Sequence, residues 1–494
     1  MMNYARLLVL AMLCAISVSC DNGEQSSGQI NVSFEQSTSN QSNIDPEKSK
    51  HSYAALEKGA KKNDTWSQFY LGVLKAFPAD SIYWQLENGL TDNALSKSPD
   101  KQLKQFREAM QLKERSLDPI EAVDLLEKAS AAGCGPASFI LGALYLENPH
   151  SLWDDEMGRE KYVEYLELAH NQGYLVATAQ IAGHILNGTH GYAKDAIKAK
   201  NMYLEVYEQG DALAARFLGF AYWDGKFGTN DIDKAIMYFS EAVSRQDKYA
   251  YVNLGIIYKD EGEIQKSIEA YESAVKLGVE TGAINLGRAL FDLYPKEYRD
   301  AGRAKKLLEP FALRSSGSTG DAAYILALIA ESEADIEACI KWSTVAMNNG
   351  HAAAAGYKLA WAHIDVGAKK AYGRVPNEGV VFSDLDATSL SRALQAFKVS
   401  ANDGNAWSAY YVADLISKGK CEGYVLDAYV THNGDVVGMN GQLSGVFKTS
   451  HDAAIMKEAA GYICSARRIA VQSSDQALVR NCDSWLSFYR YTCY

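Results

Sequence analysis

ALAARFLGFAYW (residues 212–223), followed after a short gap by DIDKAIMYFSEAV (231–243), decides how this chain folds. In the first stretch Leu218-Gly219 is followed one turn later by Tyr222. In the second, Ala235, Tyr238, Phe239 and Ala242 recur at the three-and-four spacing that gathers side chains on one helical face. Good copies of the first stretch are Leu141-Gly142 with Tyr145 and Leu254-Gly255 with Tyr258. Weaker ones are Leu71-Gly72, Ala182-Gly183, Leu286-Gly287, Leu326-Ala327, Leu359-Ala360 and Val412-Ala413. From Gly142 onward the small markers lie 32 to 53 residues apart. Self-similarity of this kind marks one supersecondary unit copied along the chain.

The second helices carry alanines at helical spacing, and most close on Gly, as in Ala122 to Gly133, Lys161 to Gly173, Ala199 to Gly210, Ala338 to Gly350 and Ala393 to Gly404. Glycine ends a helix there because it enters the left-handed region without a Cβ clash. The small residue after each Leu lets the paired helix approach closely, and the aromatic one turn on fills the remaining space. One pair cannot bury its own apolar face, so the pairs must stack.

The pairing of Leu218-Gly219-x-x-Tyr222 with Ala235, Tyr238, Phe239 and Ala242 resembles the SEL-1-like repeats, relatives of the tetratricopeptide repeat. The resemblance covers residues 52–419, eight or nine pairs, and is best between 212 and 290. It implies an all-α fold, a right-handed α/α superhelical solenoid of helix pairs. It also implies that the first helix of each pair lines a concave groove. Carried over by position, this places Arg216, Phe220 and Trp223 in the groove of one repeat and Ile284, Arg288 and Phe291 in another, with Tyr324, Tyr357, Trp361, Trp407 and Tyr410 further along. Arg beside exposed aromatics is the composition of a binding hot spot.

The start of the chain bears on compartment. A short positive segment, Met1 to Arg6, precedes an apolar run from Leu7 to Ile16 and the small residues Ser17-Val18-Ser19. The apolar run is too short to cross a bilayer core of roughly 30 Å, so residues 1–19 read as a cleaved signal peptide. The stretch resembles the bacterial lipobox, although Ser17 stands where Leu, Val or Ile is usual. The resemblance implies lipid attachment at Cys20 and a chain held at the periplasmic face of a bacterial envelope membrane. Residues 20–50, rich in Ser, Asn, Gln and Gly, read as a flexible tether. A formal net charge of -12 over 494 residues argues against nucleic acid as a partner, because such binding needs a basic surface.

Beyond Ser417 the pattern changes. Alternation over Tyr424 to His432 and Asp435 to Met439 around Asn433-Gly434 predicts a β-hairpin. Helices are expected over 451–472 and 475–490, so that residues 420–494 form a small disulfide-bonded cap. Cys421, Cys464, Cys482 and Cys493 allow three pairings in an oxidising compartment. Cys464 with Cys482, joining the last two helices, and Cys421 with Cys493 is the pairing favoured.

No enzyme motif is present. The histidines are scattered without His-Glu-x-x-His, there is no Gly-x-Ser-x-Gly elbow, and Ser315 to Gly320 lacks the lysine of a phosphate loop. Absence of Cys-x-x-Cys argues against a metal centre, and no cofactor is expected. The expectation is a non-enzymatic scaffold that binds a protein or peptide in its groove, serving envelope assembly, regulation, or immunity to a periplasmic toxin. The alternative is a glycan-binding component of an exopolysaccharide or cell-wall machine, since aromatic-lined grooves also stack sugars.

Overall fold

A computed structural model describes residues 46–77, 98–110, 112, 116–147, 153–314, 319–375, 380, 382–417, 421, 428–430, 436–438, 450–489 and 493. The signal segment, Cys20 and the Asn433-Gly434 turn therefore lie outside the described residues. The fold is all-α but for two short strands, and the chain divides into two compact units, one up to Leu286 and one from Gly287 onward.

Unit 1 contains α1 (Pro46–Ala60), α2 (Thr65–Ala76), α3 (Asp100–Ala109), α4 (Pro119–Ala131), α5 (Gly135–Glu147), α6 (Asp155–Asn171), α7 (Leu175–Asn187), α8 (Ala196–Glu208), α9 (Ala212–Trp223), α10 (Ile232–Ser244), α11 (Ala250–Asp260), α12 (Ile264–Lys276) and most of α13 (Glu280–Arg288). Its pairs are α2 with α4, α5 with α6, α7 with α8, α9 with α10, and α11 with α12. Helix α1 begins at Pro46, so the last residues of the expected tether are helical and pack with α3.

The close approach foreseen at the small markers is present. A Cβ on Gly219 would stand 2.8 Å from the Phe239 ring, and one on Gly255 would stand 2.6 Å from the Tyr271 ring. Both rings are almost wholly buried, and each such side chain contributes roughly 1.5–3 kcal/mol by leaving water. Four second helices of this unit also have their own start signal, whereas α12 follows Glu263 with no side-chain cap. Asp118, Asp154, Asp195 and Asp231 accept hydrogen bonds from the first-turn amides of α4, α6, α8 and α10. Such caps satisfy amides that the helix itself leaves unpaired.

Unit 2 opens with the end of α13 and a π-turn, Ala289–Leu293. It continues through α14 (Ala301–Ala312), α15 (Thr319–Ser332), α16 (Ile336–Asn348), α17 (Ala352–Tyr372), α18 (Ala387–Asn402), α19 (Ala406–Ser417), α20 (Ser450–Gln472) and α21 (Gln476–Tyr489). Asp300, Asp335 and Asp386 cap α14, α16 and α18 in the same manner. Helix α17 runs on to Tyr372 and ends on Gly373 in the left-handed region. Two strands, β1 (Ala428–Val430) and β2 (Val436–Gly438), pair antiparallel with Tyr429 opposite Val437.

The end of the chain differs from expectation in two ways. The boundary foreseen at residue 419 falls inside a helix pair, because α20 packs on α19 as its second helix and α21 then packs on α20. The disulfide joins Cys464 to Cys493, with Cα atoms 5.4 Å apart, while Cys421 and Cys482 are free buried thiols. Helical period explains this correction. Cys482 shares a stripe with Leu478, Trp485 and Leu486 that faces the core, whereas Cys464 lies partly exposed at the core's rim, within reach of the chain beyond α21.

Candidate functional site

The groove residues foreseen in the sequence fall into two groups with different fates. In unit 1, Arg216 is drawn inward. Its Nε donates to Asp247 Oδ2 at 2.6 Å, both side chains are close to fully buried, and the guanidinium lies over Phe217 and Tyr249. Arg216 thus presents no free charge to a partner. Phe220 and Trp223 stay partly exposed, their rings near parallel at 6.2 Å, with Phe239 edge-on beneath them.

In unit 2, Arg288 is half-exposed and pairs with Asp292 one turn on at 2.7 Å, beside the partly exposed Phe291. Three tyrosines, Tyr324, Tyr357 and Tyr410, take the same position in α15, α17 and α19, one turn before the small marker. Each is partly exposed. Tyr324 stacks on His351 at 5.2 Å, and His351 Nε2 bonds Asp321 Oδ1 at 2.8 Å.

Around Tyr357 and Tyr410 the rings form a continuous cluster. Phe382 and Phe397 are its buried floor, and Tyr357, Trp361, Trp407, Tyr410 and Tyr411 are its partly exposed rim. Trp361 meets Tyr411 edge-on at 5.2 Å, and Trp407 meets Tyr410 at 6.0 Å. Trp407 Nε1 donates to Asp475 Oδ2 at 3.0 Å, which fixes the indole. Burial, together with Tyr357, Tyr410 and Asp414, pushes the Tyr411 phenol up to about 12, so it stays a neutral donor. Such rings offer large contact area at low entropic cost, and here several are already held in place.

One polar cluster was not foreseen. At the end of α7, buried His184 bonds Tyr162 Oη through Nε2 at 2.6 Å and Thr189 Oγ1 through Nδ1 at 3.0 Å. The His190 ring lies 4.3 Å away, in a residue of positive φ. Burial and the neighbouring His190 lower His184 to about 3, and burial also lowers His190, so both rings are neutral. Tyr192 beside them donates to Glu167 Oε1 at 2.7 Å. The available signal was His184 at the first position after the Gly183 marker, where α9 has Phe220. Among the described residues no group of three or more His, Cys, Asp or Glu is set to hold a metal ion, and no helix is long and apolar enough to cross a membrane.

Residues 248–277, which form α11 and α12, match the family described as Tetratricopeptide repeat. That stretch is similar to a tetratricopeptide repeat. Solved structures similar to it include c5321, a protective antigen of uropathogenic Escherichia coli displaying an SLR fold, at 17% identity over 87% of this chain and 83% of that one, TM-score 0.41. A Sel1 repeat protein from Oxalobacter formigenes is similar at 16% identity over 74% of this chain and 89% of that one, TM-score 0.40. Among curated proteins, the F-box protein At1g70590 of Arabidopsis thaliana is 32% identical over 84 residues, 17% of this chain and 24% of its own length. The chain thus spans about a quarter of that relative. A repeat fold of the tetratricopeptide type points to a protein-interaction scaffold.

Proposed function

We propose that this chain is an exported scaffold that holds a protein or peptide segment against the aromatic rows of its first helices, while a lipid on Cys20 keeps it at the periplasmic face of a bacterial envelope membrane. The observation that carries the reading is the rim of Tyr357, Trp361, Trp407, Tyr410 and Tyr411 in unit 2, which the core leaves partly open. Phe220 and Trp223 offer a smaller patch of the same chemistry in unit 1. The lipid and the compartment rest on the residues around Cys20.

A photo-crosslinking amino acid placed at Tyr324 or Tyr410 in living cells tests the face. One recurrent protein captured from both sites, and not from the exposed Ile197 on a second helix, supports the reading. Equal capture from Ile197 overturns it. No protein capture, together with quenching of tryptophan fluorescence by cell-wall or exopolysaccharide fragments, favours the glycan alternative instead. Incorporation of labelled palmitate that disappears in Cys20→Ala supports the anchor, and incorporation that persists removes it.

A further inference from the structure

The last helix is held in three places of unequal strength. At its start, Asp475 caps the Leu478 amide at 3.0 Å and also accepts the Trp407 indole N–H at 3.0 Å. Along its length, the stripe of Leu478, Cys482, Trp485 and Leu486 is buried, and Arg467 pairs with Asp483 at 2.6 Å. Both members of that pair are half-exposed, so it contributes little. Beyond its far end, Cys493 is bonded to Cys464 in the middle of α20. Helix α21 takes α20 as its principal neighbour, whereas α20 is also packed against α19.

We propose that the Cys464–Cys493 disulfide is a redox latch on α21: intact, it keeps the far end of the helix seated on α20, and reduced, it lets that end lift and opens the Cys482 thiol to solvent. The reductant is a dithiol. Its first thiolate attacks one sulfur of the bridge to give a mixed disulfide. Its second displaces the protein sulfur and leaves as a closed disulfide, so two electrons and two protons end on Cys464 and Cys493. Cys482 is not oxidised or reduced at any step. While α21 is seated, that thiol is hidden and burial pushes its pKa up to about 11, which suppresses the reactive thiolate. Lifting the helix removes both restraints together.

The full chain, treated or untreated with dithiothreitol, is pulsed with iodoacetamide at mild alkaline pH and read by peptide mass spectrometry. Labelling of Cys482 is expected to accelerate at least tenfold on reduction, while the buried Cys134 and Cys339 label no faster. The variant Cys493→Ser should show fast Cys482 labelling without any reductant. Cys482 remaining protected in either case overturns the latch. Cys134 and Cys339 accelerating together with Cys482 overturns it as well, because the bridge would then be supporting the whole fold rather than one helix.

Discussion

In unit 1 the rings of four second helices are spent inside the stack, whereas in unit 2 several rings on the first helices come to the surface. Tyr162, Tyr203, Phe239 and Tyr271 are fully buried or nearly so, each filling space opposite Gly142, Gly183, Gly219 or Gly255. In unit 2 the markers of α15, α17 and α19 are Ala327, Ala360 and Ala413, and Tyr324, Tyr357, Trp361, Trp407 and Tyr410 remain partly open. The same contrast holds for arginine: Arg216 is buried against Asp247, and Arg288 is half-exposed beside Asp292. One repeat grammar thus serves two ends. Glycine with an opposing ring closes a helix pair tightly, and in α15, α17 and α19 alanine with an outward ring makes a face.

The largest test of this contrast is the pair of arginines. Arg216→Ala leaves Asp247 buried without its partner and should cost about 3 kcal/mol, whereas Arg288→Ala should cost under about 1 kcal/mol, both read by urea denaturation. Equal losses would erase the distinction between the units. Next, Gly255→Ala drives a methyl into the Tyr271 ring and should cost about 2 kcal/mol through overpacking. In that background Tyr271→Ala should cost less than it does alone, and strict additivity would show that the two helices are not in register.

Acid should act on unit 1 through the histidine pair. The folded His184 value lies below the ordinary 6.5, so the unfolded chain binds the proton first. Stability is then fully present above about pH 6.5 and falls as pH drops toward 3. The loss should reach about 2 kcal/mol at pH 5, as seen in the denaturation midpoint, and His184→Phe should flatten the profile. The smallest effect is a gain. Gln246 and Ala334 hold positive φ at turns next to helix ends, where several other pairs use glycine, so Gln246→Gly and Ala334→Gly should each raise stability by about 1 kcal/mol. Unchanged melting in both would mean that those turns relax without strain.

The pairing of helices was legible because a small residue and a ring at fixed spacing leave a periodic trace. Gly219 with Phe239 is such a trace. The aspartate caps were equally present, one residue ahead of most second helices, but apolar periodicity carries no trace of them. Arg216 could not be placed from sequence, since Asp247 lies 31 residues away and no local rule links them. The partner of Cys464 was missed for a related reason. Helical period tells which face Cys482 occupies, but it says nothing about where Cys493, outside any helix, will turn. Helix α20 was read as part of a cap because residues 418–449 separate it from α19, and so long an interval hides a pair.

Most connections between successive pairs are three residues long, as at 132–134, 172–174, 209–211, 277–279, 349–351 and 403–405, with longer ones at 245–249 and 313–318. Those inside pairs range from 261–263 to 418–449. One edge of each unit is therefore the more regular, while the opposite edge carries no common length. A lineage of such chains has room to lengthen, decorate or exchange segments along the second edge, whereas between successive pairs the first edge departs from its three-residue step at only two places, 245–249 and 313–318.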